Sequence, residues 1–91
     1  MNIGIVGLGR MGGNMARRLA RRGVRVVGFD PDEAVLNGIA TEGIEVAPSL
    51  ELLVSALPTP RVVWLMVPAG RVTEQTVDAL ASLLAAGDAI V

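Results

Sequence analysis

Short apolar runs along the chain alternate with stretches in which apolar residues recur every three or four positions. The runs predict five buried β-strands, and the wider spacing predicts a helix after each of the first four. The predicted strands cover residues 2–6, 24–29, 44–47, 61–67 and 88–91, and the predicted helices begin at residues 10, 31, 50 and just after 70. The chain is therefore expected to alternate strand and helix throughout.

This alternation is typical of a doubly wound α/β fold, in which parallel strands are joined by right-handed helical crossovers. Such crossovers predict a parallel sheet with its five strands in the order 3-2-1-4-5. The run 61–67 is the most apolar and is expected beside the first strand, near the centre of the sheet. The six-stranded form of this fold would need one more strand, so we expect residues 1–91 to be a single, truncated domain.

Side-chain chemistry at the helix ends predicts two caps. Pro31 is expected at the first helical position of the second helix, with Asp32 and Glu33 in its first turn, where acidic side chains favour the helix dipole. Ser49 is expected to N-cap the third helix.

Apolar spacing predicts the buried side of the first and last helices. In the first helix it selects Met11, Met15, Ala16, Leu19 and Ala20. In the last helix it selects Val77, Leu80, Ala81 and Leu84.

Composition excludes several classes of chemistry. The chain is 52% hydrophobic with one Phe and one Trp, so its core must be aliphatic. It contains no Cys and no His, which removes disulfides, thiolate chemistry and the commonest general base and metal ligand. It also lacks Lys and Tyr. We expect no metal site, and no group that takes a proton from a sugar hydroxyl near neutral pH other than a shifted carboxylate.

Charge is distributed unevenly, although the net charge is only −1: six of the eight Arg precede Asp30, and all nine acidic residues lie at or after it. Four of these arginines, at 17, 18, 21 and 22, form either a phosphate or nucleic-acid patch or a solvated helix face. We favour the solvated face, since no aromatic residues are interleaved. No apolar run approaches the ~20 residues of a membrane span, and the N-terminus lacks the features of a signal peptide, so neither nucleic acid nor membrane is an expected partner, and the expected location is cytoplasmic.

The candidate chemistry begins with a G-x-G-x-x-G run between the first strand and the first helix. It consists of Gly7, Leu8, Gly9, Arg10, Met11 and Gly12. In a dinucleotide-binding turn the first glycine allows the tight turn, the second lets backbone approach a pyrophosphate, and the third allows close helix–strand contact. The run therefore predicts a phosphate turn at the start of a helix.

An acidic residue at the end of the second strand strengthens this hypothesis. Asp30 follows the turn at about 20 residues, the spacing of a carboxylate that binds the adenosine ribose. No Arg occupies positions 31–33 to hold a 2′-phosphate, so NAD is predicted over NADP. The alternative is that Asp30 only caps the following helix.

Two further residues of the turn are open to more than one interpretation. Arg10 adds charge at the phosphates or is idle in solvent. Met11 lies under a nicotinamide ring or, as helical spacing favours, faces the core.

The stretch 7–19 resembles the N-terminal signature of the β-hydroxyacid dehydrogenase superfamily. Within that superfamily, Asn14, the run 60–70 (PRVVWLMVPAG), and Leu83-Leu84 followed by Gly87-Asp88 resemble the short, NAD-preferring form of decarboxylating 6-phosphogluconate dehydrogenase. The resemblance covers all 91 residues, and the run 60–70 is its most specific part.

The resemblance implies a Rossmann-like domain from an enzyme of the pentose phosphate pathway, which oxidises and decarboxylates 6-phosphogluconate to ribulose 5-phosphate. It implies cofactor-binding roles for Leu8 to Gly12, for Asp30, Pro31 and Asp32, and for Val67, Pro68 and Ala69. NADP-preferring relatives carry Asn-Arg-Ser/Thr after the second strand, which differs from Asp30-Pro31-Asp32. The catalytic residues of the family would follow residue 91, so the chain alone is expected to be inactive.

Two other hypotheses remain open. The chain could be a structural fragment that binds nucleotide weakly or not at all and self-associates through an exposed edge strand or uncovered helix faces. It could also be the corresponding part of another β-hydroxyacid dehydrogenase, such as a 3-hydroxyisobutyrate type, which shares the glycine turn but resembles the fourth strand less well.

Overall fold

The structure is a computed structural model, and it describes residues 1–66 and 71–91. The strands in these residues are β1 (Asn2–Val6), β2 (Arg25–Phe29), β3 (Glu45–Val46), β4 (Val62–Leu65) and β5 (Ala89–Ile90). The helices are α1 (Arg10–Arg21), α2 (Glu33–Ala40), α3 (Leu50–Ala56) and α4 (Arg71–Leu83). Strand and helix alternate as predicted.

All the strands belong to one parallel sheet with the order β3-β2-β1-β4-β5. This is the predicted order, and it places β1 between β2 and β4. In the observed register Gly4 of β1 faces Val27 on one side and Val63 on the other. The C-terminal ends of β1, β2 and β4 therefore meet at one rim of the sheet.

Helices cover both faces of the sheet and enclose two aliphatic cores. The core under α1 and α2 contains Ile3, Ile5, Leu8, Ala16, Val26, Leu36, Ile39 and Ile44. The core under α3 and α4 contains Val6, Val27, Ala47, Leu53, Val54, Leu57, Val63 and Leu80. Strands buried on both faces explain why the apolar runs are continuous rather than alternating.

The third helix packs closely on the central strand because Gly4 has no side chain. A Cβ at Gly4 would lie 2.9 Å from the side chains of both Leu53 and Leu57. Leu53 is fully buried as a result, and α3 is fixed against the middle of β1.

One of the two predicted helix caps is confirmed and the other is displaced. Ser49 caps α3, since its side chain accepts a hydrogen bond of 3.1 Å from the Leu52 amide. The prediction that Pro31 opens α2 is wrong: the helix begins at Glu33, and Asp32 is the N-cap, accepting from the Ala34 amide at 2.9 Å. Asp32 takes the N-cap position because its carboxylate accepts a hydrogen bond from a free N–H of the first turn, which a proline side chain cannot do.

The predicted buried stripe of α4 is partly wrong. Leu80 is fully buried and Leu84 is partly buried, but Val77 is 36% exposed and Ala81 is exposed. Leu83 is partly buried instead and packs against the second core. Apolar residues lie on several sides of α4. A buried leucine removes more apolar area from water than a buried alanine does, which favours the face that contains Leu83.

Two bidentate ion pairs link parts of the fold that are distant in the sequence. Arg17 of α1 donates to both carboxylate oxygens of Glu42, at 2.7 and 2.8 Å, and this hydrogen bonding lowers the pKa of Glu42. Arg25 donates to both carboxylate oxygens of Glu45, at 3.0 and 2.8 Å, and to the Ala56 carbonyl at 2.7 Å. Arg17 is therefore engaged within the fold, and Arg18, Arg21 and Arg22 lie on an exposed face.

A network around Asp88 holds the edge strand β5. The fully buried Asp88 carboxylate accepts hydrogen bonds from the Arg61 amide, from the Ala85 amide at 2.7 Å and from the Arg61 guanidinium at 3.2 Å. The two backbone hydrogen bonds, followed by the guanidinium, hold the pKa of Asp88 below the ordinary aspartate value. The Ala89 amide then pairs with the Arg61 carbonyl at 2.8 Å.

The Asp88 network makes stability depend on pH. Because the pKa of Asp88 is lower in the folded chain, its contribution is complete above the ordinary aspartate pKa of about 3.9 and is lost as pH falls through the folded pKa. Asp88→Asn should lower stability at pH 7. The deficit should shrink as pH falls below ~4, because Asp88 of the unfolded chain then binds a proton that the folded chain takes up only at lower pH. Urea unfolding at several pH values, followed by fluorescence of Trp64, the single tryptophan, measures the loss of stability and its dependence on pH.

The matched control is Asp78→Asn on the exposed side of α4, which removes the same charge outside the network. A deficit of Asp88→Asn that stayed constant from pH 7 to pH ~3 would contradict the assignment.

Candidate dinucleotide-binding site

The turn after β1 is shaped by a glycine in the left-handed region. Gly7 has φ +98°, which L side chains rarely adopt, and its amide donates to the Phe29 carbonyl at 2.8 Å. The chain thus reverses directly at the end of β1 while remaining bonded to β2. This is the tight turn predicted for the first glycine of the run.

The third glycine of the run allows α1 to approach the sheet. A Cβ at Gly12 would lie 1.8 Å from the Gly7 carbonyl oxygen and 3.2 Å from Cβ of Met66. Any side chain at Gly12 would push the helix off β1. The predicted close contact between helix and strand is therefore present.

The second glycine faces open space. Gly9 has φ −65°, is exposed, and a Cβ built on it would meet no heavy atom of the described residues within 4 Å. Neither backbone strain nor packing in the described structure therefore requires a glycine here. What remains is the room that the missing side chain leaves beside the start of α1, where a ligand's phosphate could approach the backbone.

The start of α1 offers donors to that space. Gly9 is the N-cap and has no side chain to satisfy the first N–H groups, which point out of the helix. The helix has no acidic residue in its first turn, so its positive dipole end is not neutralised there. These features suit an anion such as a pyrophosphate.

The two ambiguous residues of the turn are both at the surface. Arg10 is exposed, which leaves both interpretations of its charge open. Met11 is 75% exposed, so the prediction that it faces the core is wrong. The buried residues of α1 begin at Gly12. Ala20 is also exposed, so its prediction as part of the buried side is wrong.

Leu8 is anchored rather than exposed. Its side chain is only 3% exposed and packs over Gly28 of β2, where a Cβ would lie 2.9 Å from both Leu8 methyl groups. A role of Leu8 toward a ligand would therefore fall to its backbone. Gly28 lies outside the glycine run and was not predicted to matter, although a glycine inside a strand is a known sign of close approach.

Asp30 connects the glycine turn to the end of β2. One carboxylate oxygen accepts the Leu8 amide at 2.8 Å, and the other accepts the Asp32 amide at 2.8 Å. The alternative that Asp30 is the helix cap is wrong, since Asp32 holds that position. A carboxylate has about four acceptor sites, so two remain for ligand hydroxyl groups.

The third predicted loop is reached by the structure only at its start. The Met66 amide donates to the Val6 carbonyl at 2.7 Å, which brings the end of β4 beside the glycine turn. Val67, Pro68 and Ala69 lie outside the described residues. Pro31 and Asp32 are exposed at the same rim as Asp30.

A surface pocket of about 280 Å³ is lined by Arg17, Ala20, Arg21, Glu42 and Ile44, where Arg17 and Glu42 already pair with each other. No group of acidic side chains within residues 1–66 and 71–91 could hold a metal ion.

Comparison with known proteins identifies the family. Residues 2–91 match the family described as the NAD binding domain of 6-phosphogluconate dehydrogenase. The chain belongs to this family. An NAD(+)-dependent, decarboxylating 6-phosphogluconate dehydrogenase of Haloferax volcanii is 38% identical over 91 residues, which are 100% of this chain and 30% of that protein.

Solved structures share the fold of this chain. The 6-phosphogluconate dehydrogenase of Plasmodium falciparum, whose structures include a complex with its cofactor NADP+, has a TM-score of 0.91 at 21% identity, covering 99% of this chain and 21% of that one. A 3-hydroxyisobutyrate dehydrogenase of Mycobacterium tuberculosis has a TM-score of 0.79 at 33% identity, covering 98% of this chain and 31% of that one. This chain therefore spans less than a third of the length of each of these proteins.

A membrane-spanning segment is not found among the helices of the described residues, none of which has the length and apolar character needed to cross a bilayer.

The glycines of the turn should respond differently to the same substitution. Gly12→Ala should destabilise the fold by about 3 kcal/mol or more, because its Cβ would overlap the Gly7 carbonyl. Gly9→Ala should change stability by no more than about 1 kcal/mol, since its φ is ordinary and its Cβ meets open space. Urea unfolding of both variants measures the difference, and equal losses would contradict the described geometry of the turn.

Proposed function

We propose that this chain binds NAD at the rim formed by the glycine turn and the end of β2, as the cofactor-binding part of an NAD-dependent 6-phosphogluconate dehydrogenase. The observation that carries the proposal is the 2.8 Å hydrogen bond between the Leu8 amide and Asp30. This hydrogen bond joins the Asp30 carboxylate directly to the glycine turn, which supports a ribose site next to a phosphate site, as the two parts of an ADP group require.

The pyrophosphate would lie against the open side of Gly9 and accept hydrogen bonds from the first amides of α1. Arg10, which is exposed at the same turn, would add positive charge. No side chain at Gly9 stands between the phosphates and the backbone, and the family to which the chain belongs is consistent with this binding mode.

The preference for NAD over NADP rests on the charge at the ribose end. Asp30 would accept hydrogen bonds from the ribose hydroxyl groups through its remaining acceptor sites and repel a 2′-phosphate. Pro31, Asp32 and Glu33 supply no cation that would offset this repulsion. The NAD(+)-dependent Haloferax relative supports NAD, while the Plasmodium enzyme binds NADP+, so the preference needs a direct test.

The nicotinamide end would lie toward Met11 and the loop containing Val67, Pro68 and Ala69. The 75% exposure of Met11 at the start of α1 leaves its side chain available for contact with a ring. Reduction and oxidation would be the chemistry of the nicotinamide, and the residues of this chain would bind and orient it.

The whole protein would oxidise and decarboxylate 6-phosphogluconate. The match of residues 2–91 to the 6-phosphogluconate dehydrogenase family supports this substrate over 3-hydroxyisobutyrate. A cytoplasmic location remains a prediction.

Self-association, expected from the sequence, also remains a prediction. The edge strand β5 is only two residues long, which offers a partner little backbone to pair with, whereas Leu52, Val77 and Val91 expose apolar surface. Sedimentation at several concentrations measures it.

Calorimetric titration with NAD and NADP tests cofactor binding and preference. NAD should give saturable heat, and NADP should bind at least about tenfold more weakly, a difference of about 1.4 kcal/mol. Gly9→Val should abolish the heat, because its side chain would fill the space for the pyrophosphate.

The control for this substitution is Gly38→Val on α2, where a Cβ also meets open space away from the rim. It should bind NAD as the unaltered chain does. Tighter binding of NADP would refute the role of Asp30, and absence of heat with either cofactor would favour the structural-fragment hypothesis.

Catalysis by the chain alone is not expected, because it has no Lys, His, Cys or Tyr to take a proton from the substrate hydroxyl. Purified chain mixed with NAD and 6-phosphogluconate should give no increase in absorbance at the NADH wavelength. Substrate-dependent NADH formation that survives repurification would contradict this.

A further inference from the structure

We infer that Asp30 is a positioning residue for the phosphate turn, and that it performs this role as a hydrogen-bond acceptor, independently of the charge that would select NAD. The inference rests on the proposed function, since it concerns the same site. It separates two properties of the Asp30 carboxylate. As a hydrogen-bond acceptor, Asp30 would act on the phosphate end of the ligand through the turn. Through its charge, it would act on the ribose end.

The first step is the way the turn is held. Leu8 lies between two constraints: its side chain packs over Gly28, and its amide donates to the Asp30 carboxylate 22 positions away in the chain. Gly7 adds the hydrogen bond to the Phe29 carbonyl at 2.8 Å. Consecutive residues of the turn are therefore bonded to consecutive residues at the end of β2.

The second step is what would happen without the carboxylate. The Leu8 amide is partly buried, so removing its acceptor leaves a donor that water replaces only poorly. Gly9, the next residue, makes no side-chain contact that could hold the turn. The turn would then occupy its binding arrangement only part of the time, and apparent affinity falls in proportion to that fraction.

The third step is that an acceptor needs no charge. An asparagine side chain keeps one carbonyl oxygen, which can accept the Leu8 amide, whereas its NH₂ group only donates. Asp30→Asn should therefore keep the hydrogen bond from the Leu8 amide and lose the repulsion of a 2′-phosphate. It gives up the hydrogen bond from the Asp32 amide, which is exposed and can donate to water instead. Asp30→Ala should lose both the Leu8 hydrogen bond and the repulsion.

A nucleotide without ribose hydroxyl groups isolates the turn. We would titrate 2′,3′-dideoxyadenosine diphosphate, which carries the diphosphate but neither hydroxyl that Asp30 could bind. Asp30→Ala should weaken its binding by about tenfold, and Asp30→Asn should stay within about threefold of the unaltered chain. The matched control is Asp78→Ala, which removes a carboxylate on the exposed side of α4.

A measurement on the free chain tests the same inference without nucleotide. Hydrogen exchange of the Leu8 amide, followed by NMR, should be slow in the unaltered chain and in Asp30→Asn, and at least about tenfold faster in Asp30→Ala. Fluorescence of Trp64 verifies that each variant is folded. If Asp30→Ala does not fold, slow exchange of Leu8 in Asp30→Asn but not in Asp30→Leu provides the comparison.

The outcomes separate the inference from the proposed function. If the unaltered chain binds no nucleotide but Leu8 exchange follows the presence of an acceptor, cofactor binding fails and the positioning role stands. If binding of the dideoxy nucleotide and Leu8 exchange are the same in Asp30→Ala as in the unaltered chain, the positioning role is overturned and Asp30 serves the ribose alone.

Discussion

The approach of α1 to β1 at Gly12 is the contact on which the candidate site depends. With 1.8 Å between the Gly7 carbonyl oxygen and the place where a Cβ would stand, the helix has no room to carry a side chain there. This closeness directs the start of α1 at the rim of the sheet and sets the free amides beside the end of β2. It also seals the core under α1, where Ala16 is fully buried.

On each face of the sheet, a glycine in a strand lets leucine side chains pack closely against the backbone. Gly4 makes room for Leu53 of α3 and for Leu57 at its C-cap, and Gly28 makes room for Leu8 of the turn. Such close contacts gain dispersion energy that a small aliphatic core with one Phe and one Trp needs. They also join the core to the site, because Leu8 belongs to both.

Much of the fold followed from local patterns. The strand order, the turn at Gly7 and the cap at Ser49 each depend on residues within a few positions of one another, or on the general handedness of crossovers. The features that escaped prediction depend on contacts between distant parts of the chain. The bond from Leu8 to Asp30 and the packing of Leu8 on Gly28 require the register of β1 against β2, which residue spacing does not contain. The exposure of Met11 depends on where α1 begins relative to the sheet, which periodicity alone does not specify.

The double attachment of Asp30 also bears on how such a domain could change over evolutionary time. If the turn needed the negative charge of Asp30 as well as a hydrogen-bond acceptor, a change of cofactor would require rebuilding the turn. Here Asn at position 30 would keep an acceptor, and Pro31 is exposed and has no amide hydrogen to donate, so a basic residue there would break no backbone bond. A lineage could pass from one cofactor to the other by single substitutions at the rim, each leaving a folded intermediate for selection to act on.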